Sequence, residues 1–264
     1  MIRVGLLIVL LAVVGASFGP LVTPYDPAAQ ELARRLEGPS LSHPFGLDEL
    51  GRDILSRLLS GARISLLVGL AVVSVSSTVG MLLGSVAGYF GGLVDDVISR
   101  AVDVLMAFPG ILLAIALVAV LGPSLTNVVL ALSVIGWVGY ARLVRSQALR
   151  AREFEFVQAA RALGASSSRI VFRHVLPTAF PAVIVQATLG MAGAIIAEAA
   201  LSFLGLGVQP PTPSWGTMLD AGRSHLFDAP HLTIFPGLAI ATLVLGFNFL
   251  GDGLRDRVDP KLAK

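Results

Sequence analysis

The sequence predicts an all-α membrane protein with six transmembrane helices, and three observations lead to that prediction. Of the 264 residues, 55% are hydrophobic and 14% are charged, and the mean hydropathy is +0.83. A soluble domain has about 25% charged residues. Long uncharged stretches recur along the chain, and a helix needs roughly 20 apolar residues to cross a bilayer. Lysine and arginine are concentrated in alternate polar segments.

Five apolar stretches supply the six predicted helices. They are residues 4–25, 64–94, 104–141, 178–205 and 232–251. The third stretch is too long for one helix, and Gly122-Pro123-Ser124 predicts a tight loop within it. We therefore expect a third span from near Val97 and a fourth span after the loop. The expected organisation is a first transmembrane helix in 1–22, an extracytoplasmic segment in 23–62 and a helical core in 63–264.

The first apolar stretch has two competing interpretations. A secretory signal peptide is one of them, but its apolar region is shorter than residues 4–25. The other is a serine hydrolase, because residues 15–19 match the pattern GxSxG. That chemistry needs a strand–turn–helix elbow, whereas Ser17 lies inside a predicted helix. Small residues that let membrane helices pack closely explain the match better.

The distribution of basic residues predicts the orientation. With the N-terminus inside, thirteen of the 19 lysine and arginine residues fall on the inner side. Cytoplasmic loops of membrane proteins carry such an excess. We therefore expect a multi-pass protein of the plasma (inner) membrane with both termini cytoplasmic. Residues 142–176 are then a cytoplasmic loop, and residues 206–231 face outward.

Several functions are excluded by residues that the chain does not have. It contains no cysteine, and its only lysines are Lys261 and Lys264. Neither lysine follows a glycine-rich loop, so the chain has no phosphate-binding loop for ATP. The four histidines are isolated from one another in sequence. We therefore expect no catalytic residue, no bound metal or cofactor and no nucleic-acid partner, and any ATP-driven process would need another chain.

Spacing predicts two kinds of helix contact. Gly80, Gly84, Gly88 and Gly92 repeat every four residues and predict a glycine strip for close helix packing. Charged residues three or four apart share a helix face. We therefore expect an ion pair between Arg100 and Asp103, and a second between Asp48 and Arg52.

The loop of residues 142–176 is predicted to form two short helices around a glycine turn. Residues 154–163 favour a helix, and Gly164 suits the left-handed residue that ends one. Serines 166–168 offer N-caps for a second helix, and Pro177 suits the first turn of the fifth span. Such a loop fits a groove on a partner protein. It could equally brace the helix bundle, and the residues alone do not decide between these interpretations.

The order of the motifs resembles a known family of transporters. Gln158-Ala159-Ala160, Gly164 and residues 174–177 resemble the EAA loop of ABC importer permeases. The wider chain is similar to the dipeptide/oligopeptide/nickel permease group. The stretches that carry this similarity are residues 43–53, 87–92, 198–211, 213–216 and 251–256. The first position of the EAA pattern is Gln158 instead of glutamate, so a salt bridge from that position is not expected. The N-terminal tail is also short for this group, which an alternative start site would explain.

The resemblance implies a permease subunit that works with several partners. A second, similar permease chain and two ATPase subunits would complete the transporter, with ATP and magnesium bound to the ATPases. An extracytoplasmic solute-binding protein would deliver the solute, and membrane lipid would surround the helices. The EAA loop would be a cytoplasmic coupling helix seated in the ATPase. The implied coupling residues are Gln158, Ala159, Ala160, Gly164, Leu176 and Pro177.

Two questions stay open from the sequence. Glu198 lies well inside the fifth span, where an ionisable group is costly and marks a functional site by default. It could fix helix contacts or gate the pathway, or it could contact the solute directly. Dipeptides or oligopeptides are the expected solutes, with nickel or another small solute as the alternative. An ion-gradient-driven secondary transporter is a further, distinct alternative.

Overall fold

The computed structural model describes residues 1–23 and 25–258, which form a bundle of helices. The α-helices of this part of the chain are α1 (Ile2–Val22), α2 (Ile54–Phe90), α3 (Gly92–Met106), α4 (Gly110–Leu121), α5 (Leu125–Ala151), α6 (Glu155–Ala162), α7 (Ser167–Ile170), α8 (Leu176–Phe203), α9 (Trp215–Gly222) and α10 (His231–Val258). The one isolated β-bridge in the described residues joins Leu47 to Asp53. The predicted all-α class is confirmed.

Six membrane spans are reached only if one bent pair of helices counts as a span. Helices α1, α2, α5, α8 and α10 are each long and apolar enough to cross a membrane. The remaining candidate is the pair α3 and α4, which meet at a bend of 85°. Pro109 causes the break, because it has no N–H and disfavours a helical conformation at Phe108. The prediction of one continuous third span from near Val97 is therefore wrong.

Helix α2 begins ten residues before the uncharged stretch that predicted it. It starts at Ile54, with Asp53 as its N-cap, and Asp53 Oδ2 accepts a hydrogen bond from Ser56 N–H at 2.8 Å. Arg57 lies in its first turn and is buried, with Nε 3.3 Å from Asp48 Oδ2. The uncharged stretch did not predict this start, because charged residues such as Arg57 precede residue 64. A hydropathy pattern cannot show that a buried arginine will be paired with an acidic residue.

Glycines let α2 and α5 approach closely. A Cβ added at Gly88 would lie 2.6 Å from Arg145 O, and one at Gly84 would lie 3.0 Å from Val144 Cβ. The predicted strip is confirmed for Gly80, Gly84 and Gly88 and is wrong for Gly92. That residue begins α3 with φ +54° and has nothing within 4 Å of an added Cβ.

Small residues in α1 also serve helix packing. The GxSxG match lies within this helix, where Ser17 is exposed. A Cβ added at Gly19 would lie 2.8 Å from Leu59 Cβ on α2. The segment is a continuous helix without a strand–turn–helix elbow, so the packing interpretation is confirmed.

The bundle has two distinct ends. At one end, Val157 of α6 packs in a cluster with Tyr89 near the end of α2 and Ala151 at the end of α5. At the other, Trp215 of α9 donates from Nε1 to Leu58 O near the start of α2, at 2.9 Å. We name these the α6–α7 end and the α9 end. Helices α1 and α10 run antiparallel, because Gly253 faces Ile2 and Gly246 faces Ile8. At its other end α1 contacts Leu59 near the α9 end through Gly19, so the first residues of α1 and the last turn of α10 lie on the side directed toward the α6–α7 end.

Candidate functional site

The candidate site is the segment from α6 to the start of α8, at the α6–α7 end. Helix α6 turns one side inward, and Val157 is fully buried. On its outer side Gln158 and Ala159 are exposed, and Ala160 is half-buried. The outer side of α6 therefore carries the small and polar side chains that the sequence predicts, together with the exposed Phe156.

Gly164 ends α6 in a left-handed turn. Its φ is +79°, and the N–H of Ala165 donates to Ala160 O at 3.0 Å while the N–H of Gly164 donates to Arg161 O at 3.0 Å. Nothing lies within 4 Å of an added Cβ. Glycine is therefore needed here for its backbone conformation and not for space.

The second short helix runs without a break into α8. Ser166 Oγ caps α7 by accepting from the N–H of Arg169, as predicted. A π-helical turn over Val171–Val175 then joins α7 to α8, so that residues from Ser167 to Phe203 form one continuous helical stretch. The predicted start of the fifth span near Thr178 is therefore wrong. Pro177 lies in the first turn of α8, as predicted, and is exposed, while Leu176 is buried.

A buried cluster fixes this segment to the bundle. Val157, Ile170 and Val175 are each no more than 1% exposed. They pack with residues of α2, α5 and α8, namely Tyr89, Tyr140, Val144, Ala148, Ala151, Leu176, Ala179 and Val183. The segment is therefore anchored directly to three membrane-spanning helices.

The outer surface of the segment is apolar with a basic rim. Its exposed side chains are Phe154, Phe156, Leu163 and Phe172, with Arg161, Arg169 and Arg173 beside them. Leu163 is 88% exposed. Sequence reasoning missed these apolar residues, although four large apolar side chains in a basic loop were a readable signal. Large contiguous apolar patches on a protein surface mark interaction sites, so this group of exposed side chains is a candidate one.

Polar contacts tie the end of α5 to α3 and to α2 near this surface. Arg145 Nη2 donates to Asp95 Oδ2 at 2.6 Å, and Arg152 Nη1 donates to Gly88 O at 3.4 Å. The predicted ion pair between Arg100 and Asp103 is wrong, because the ion pair of α3 in the described residues uses Asp95 instead. The partner of Asp95 is Arg145, which is fifty residues away in the sequence, so local spacing could not predict this ion pair.

Glu198 lies fully buried in α8, with both carboxylate oxygens hydrogen-bonded. Ser202 Oγ donates to Oε1 at 2.7 Å, and Ser65 Oγ of α2 donates to Oε2 at 3.2 Å. The carboxylate therefore links α8 to α2 within the bundle.

Buried charged groups organise the α9 end. Arg52 Nε donates to Asp48 Oδ2 at 2.7 Å, which confirms that predicted ion pair. His43 Nδ1 lies 2.9 Å from Asp53 Oδ1. At the surface, the Arg34 guanidinium hydrogen-bonds Glu37 and holds the pKa of the Glu37 carboxyl below its usual value.

Solved structures with this fold are membrane subunits of transporters. A chain from "Inward facing conformations of the MetNI methionine ABC transporter" aligns with a TM-score of 0.62 and 19% identity, covering 77% of this chain and 97% of that one. A chain of "an amino acid ABC transporter with histidines" aligns with a TM-score of 0.58 and 16% identity, over 76% and 94%. At these identities the likeness establishes the fold alone, which is that of an ABC transporter permease.

The family follows from closer relatives. Residues 80–264 match the family described as "Binding-protein-dependent transport system inner membrane component". "Dipeptide transport system permease protein DppC" of Alkalihalophilus pseudofirmus is 49% identical over 98% of this chain and 85% of the relative. "Glutathione transport system permease protein GsiD" of Pectobacterium atrosepticum is 48% identical over 97% and 85%. The chain belongs to this family: it is a membrane-embedded permease subunit of an ABC importer, a transport component and not an enzyme.

Proposed function

We propose that this permease imports dipeptides and other short peptides as one half of a two-permease pathway. The named relatives support a peptide solute, since one is a dipeptide permease and another a glutathione permease. The proposed partners are a second, similar permease chain, two ATPase subunits that bind ATP and magnesium, and an extracytoplasmic solute-binding protein. Both termini are proposed to be cytoplasmic, on the same side as the α6–α7 end.

The coupling element is the segment from α6 to the start of α8. The observation that supports this role is its exposed apolar and basic surface on a backbone continuous with α8. Gln158, Ala159 and Ala160 are proposed to contact the ATPase, and Gly164 to hold the turn. Leu176 and Pro177 connect the segment to the membrane-spanning part of α8.

The proposed transport mechanism depends on the continuous helical connection between α7 and α8. Closure of the ATPases on ATP would push the α6–α7 segment, and the continuous helix would carry that displacement into the bundle. Glu198 would keep α8 and α2 moving together, because its carboxylate is bonded to Ser65 of α2. This is a structural or gating role and not contact with the solute. Hydrolysis of ATP would then reset the pathway.

Gln158 stands where the EAA pattern has glutamate, and this difference alters the proposed contact with the ATPase. A glutamate at this position could form a salt bridge, whereas Gln158 keeps a hydrogen-bond acceptor without the charge. Its Nε2 donates to Glu153 O at 3.3 Å, so the side chain lies along the surface of α6. The exposed apolar side chains around it, including Phe156, are proposed to supply most of the binding energy.

Uptake of a labelled dipeptide in intact cells tests the proposed function. We expect accumulation to fall when the gene for this chain is deleted and to return when the gene is restored. Unchanged uptake, with the ATPases still co-purifying, would contradict peptide import. Nickel and other small solutes would then be the ones to test.

A further inference from the structure

A cavity of about 470 Å³ lies among α2, α3 and α5, beside the α6–α7 end. Gly84 and Ala87 of α2 line it. The next residue of α2, Gly88, packs against Ala148, which belongs to the buried cluster that holds α6. The cavity is therefore on the side of the bundle that is proposed to face the cytoplasm. Its volume is within the 300–1,000 Å³ that is typical of ligand pockets.

The cavity has a floor of buried residues and a polar rim. Ala87, Val102 and Ala141 line it and are buried. Asp103 of α3 and Arg142 of α5 also line it, and both are exposed. A solute that enters the cavity can therefore reach both charged groups.

Asp103 and Arg142 carry opposite charges that are not paired within the described residues. Neither side chain belongs to an ion pair there. Arg142 Nη1 donates to Met106 Sδ at 2.9 Å, and a thioether is a neutral and weak acceptor. The rim thus presents one uncompensated carboxylate and one uncompensated guanidinium.

The third charged residue of the lining is already neutralised. Arg145 Nη2 donates to Asp95 Oδ2 of α3 at 2.6 Å. This ion pair joins α3 to α5 beside the cavity, and these are the two helices that carry Asp103 and Arg142. The unpaired charges of the cavity are therefore one acid and one base, held on two helices that are fixed to each other.

A separated acid and base match the two ends of a short peptide. An unmodified peptide carries an ammonium and a carboxylate at neutral pH. An ammonium donates to a carboxylate, and the planar fork of an arginine binds a carboxylate through two parallel N–H groups. Charged side chains in membrane-spanning segments pair with one another or line a solute pathway. A zwitterionic solute would supply the missing partner of each.

We propose that this cavity is an inner solute site in which Asp103 binds the amino end of a short peptide and Arg142 binds its carboxyl end. The proposal rests on the proposed function, since it takes a short peptide as the solute. It assigns the recognition by this chain to the two charged ends that all unmodified peptides share. Peptides with different side chains would then pass through the same permease.

A cysteine at position 146 reports whether the cavity is occupied, because the chain has no cysteine of its own. Ser146 lines the cavity and is exposed, and its Oγ donates to Leu143 O of the same helix, so Ser146→Cys should fold. The variant is assembled with the second permease and both ATPases, without nucleotide, the state in which the proposed pathway is open to the inside. Reaction with methyl methanethiosulfonate, a neutral reagent, is read on this chain by intact mass. Added dipeptide should slow this reaction, and the dipeptide concentration that gives half-protection measures binding.

Removing each charge in this background tests each end of the peptide. Asp103→Asn should raise the half-protection concentration of an unmodified dipeptide about three- to five-fold, the effect of losing one solvent-exposed ion pair. It should leave that of the N-acetylated dipeptide unchanged. Arg142→Gln should weaken the unmodified dipeptide by a similar factor and leave the C-amidated dipeptide unchanged. A purely structural effect would shift the unmodified and blocked peptides alike.

Two other charged residues of α3 supply matched controls. Asp96 and Arg100 are exposed, do not line the cavity and form no ion pair within the described residues. Asp96→Asn and Arg100→Gln remove the same kinds of charge from the same helix. Half-protection of Ser146→Cys by the unmodified dipeptide should be the same with and without these substitutions.

The outcomes separate the site from the function on which it rests. Labelling of Ser146→Cys that dipeptide does not slow, or equal effects of Asp103→Asn and Asp96→Asn, overturns the site while peptide import stands. A cysteine that is unreactive even without dipeptide also overturns it, because lipid or the second permease would then cover the cavity. If the wild-type transporter hydrolyses ATP but accumulates no dipeptide, peptide import fails and the site falls with it.

Discussion

Glu198 shows how a single residue can hold two membrane-spanning helices together. Its carboxylate accepts hydrogen bonds from Ser202 on its own helix and from Ser65 on α2. All three side chains are at most 1% exposed. A buried polar group is tolerated when its partners are complete, and losing one member leaves the others unsatisfied.

Replacing Glu198 with leucine should therefore destabilise the protein, while glutamine should be tolerated. Glu198→Leu leaves two buried serine hydroxyls without their acceptor, at a cost of about 1–3 kcal/mol. Glu198→Gln keeps the size and one acceptor oxygen. Thermal unfolding of the detergent-purified chain would measure the difference. A leucine variant as stable as wild type would show that the carboxylate does not hold α8 to α2.

The sequence predicts Glu198 as a residue of interest but not its partners. A lone acid inside an apolar stretch is visible in composition, and its cost in the membrane is general physics. Ser65, however, is 133 residues away, and serine is common in this chain, so no local spacing connects the two. The same limit explains why Arg145 could not be predicted as the partner of Asp95.

At the scale of elements, the turn between α6 and α7 decides how the coupling segment is presented. Gly164 has φ +79°, and nothing lies within 4 Å of an added Cβ. A side chain here would meet open space, so any effect of a substitution must come from the backbone. Residues with a Cβ disfavour the left-handed conformation by about 1–2 kcal/mol, and asparagine adopts it more readily than others.

We expect Gly164→Val to reduce peptide uptake strongly and Gly164→Asn to retain most of it. Valine is branched at Cβ and is strained in this conformation, so the turn would open and misplace α6. Uptake is to be measured per amount of chain inserted in the membrane. Normal uptake by the valine variant at full expression would show that the turn geometry is not needed for coupling.

Helix packing gives a second prediction at this scale. A Cβ at Gly88 would lie 2.6 Å from Arg145 O and 2.7 Å from Ala148 Cβ, so Gly88→Ala must push α2 and α5 apart. Such overpacking costs about 1–3 kcal/mol. Gly237→Ala in α10 is the matched control, since its nearest neighbour beyond the helix, Leu219 Cδ2, is 4.0 Å away. Equal melting temperatures for the two variants would contradict close packing at Gly88.

The elements were predictable to the extent that they follow apolar periodicity and turn chemistry. The helical class, the glycine turn at Gly164 and the serine cap at Ser166 all follow from local rules. Pro109 is also a local signal for a helix break, but the 85° bend there and the π-helical turn before α8 do not follow from local rules. An apolar run shows that a segment belongs in the membrane, but packing of neighbouring helices decides whether it crosses straight.

At the scale of the whole molecule, the helix bundle has different features at its two ends. The α6–α7 end holds the proposed coupling segment, and the first residues of α1 and the last described turn of α10 are directed toward it. The α9 end holds a folded cluster of buried charges around Asp48 and His43. The order of the motifs predicted this family from the sequence, but the cavity of about 470 Å³ among α2, α3 and α5 could not be predicted, because it forms where three helices meet in space.

ATP-dependent uptake by reconstituted vesicles tests the central claim most directly. The complete complex should accumulate labelled dipeptide only when ATP, both ATPases and the binding protein are present. An imposed proton or sodium gradient should not replace ATP. Accumulation driven by such a gradient, in vesicles that contain no ATPase, would contradict the account and indicate a secondary transporter.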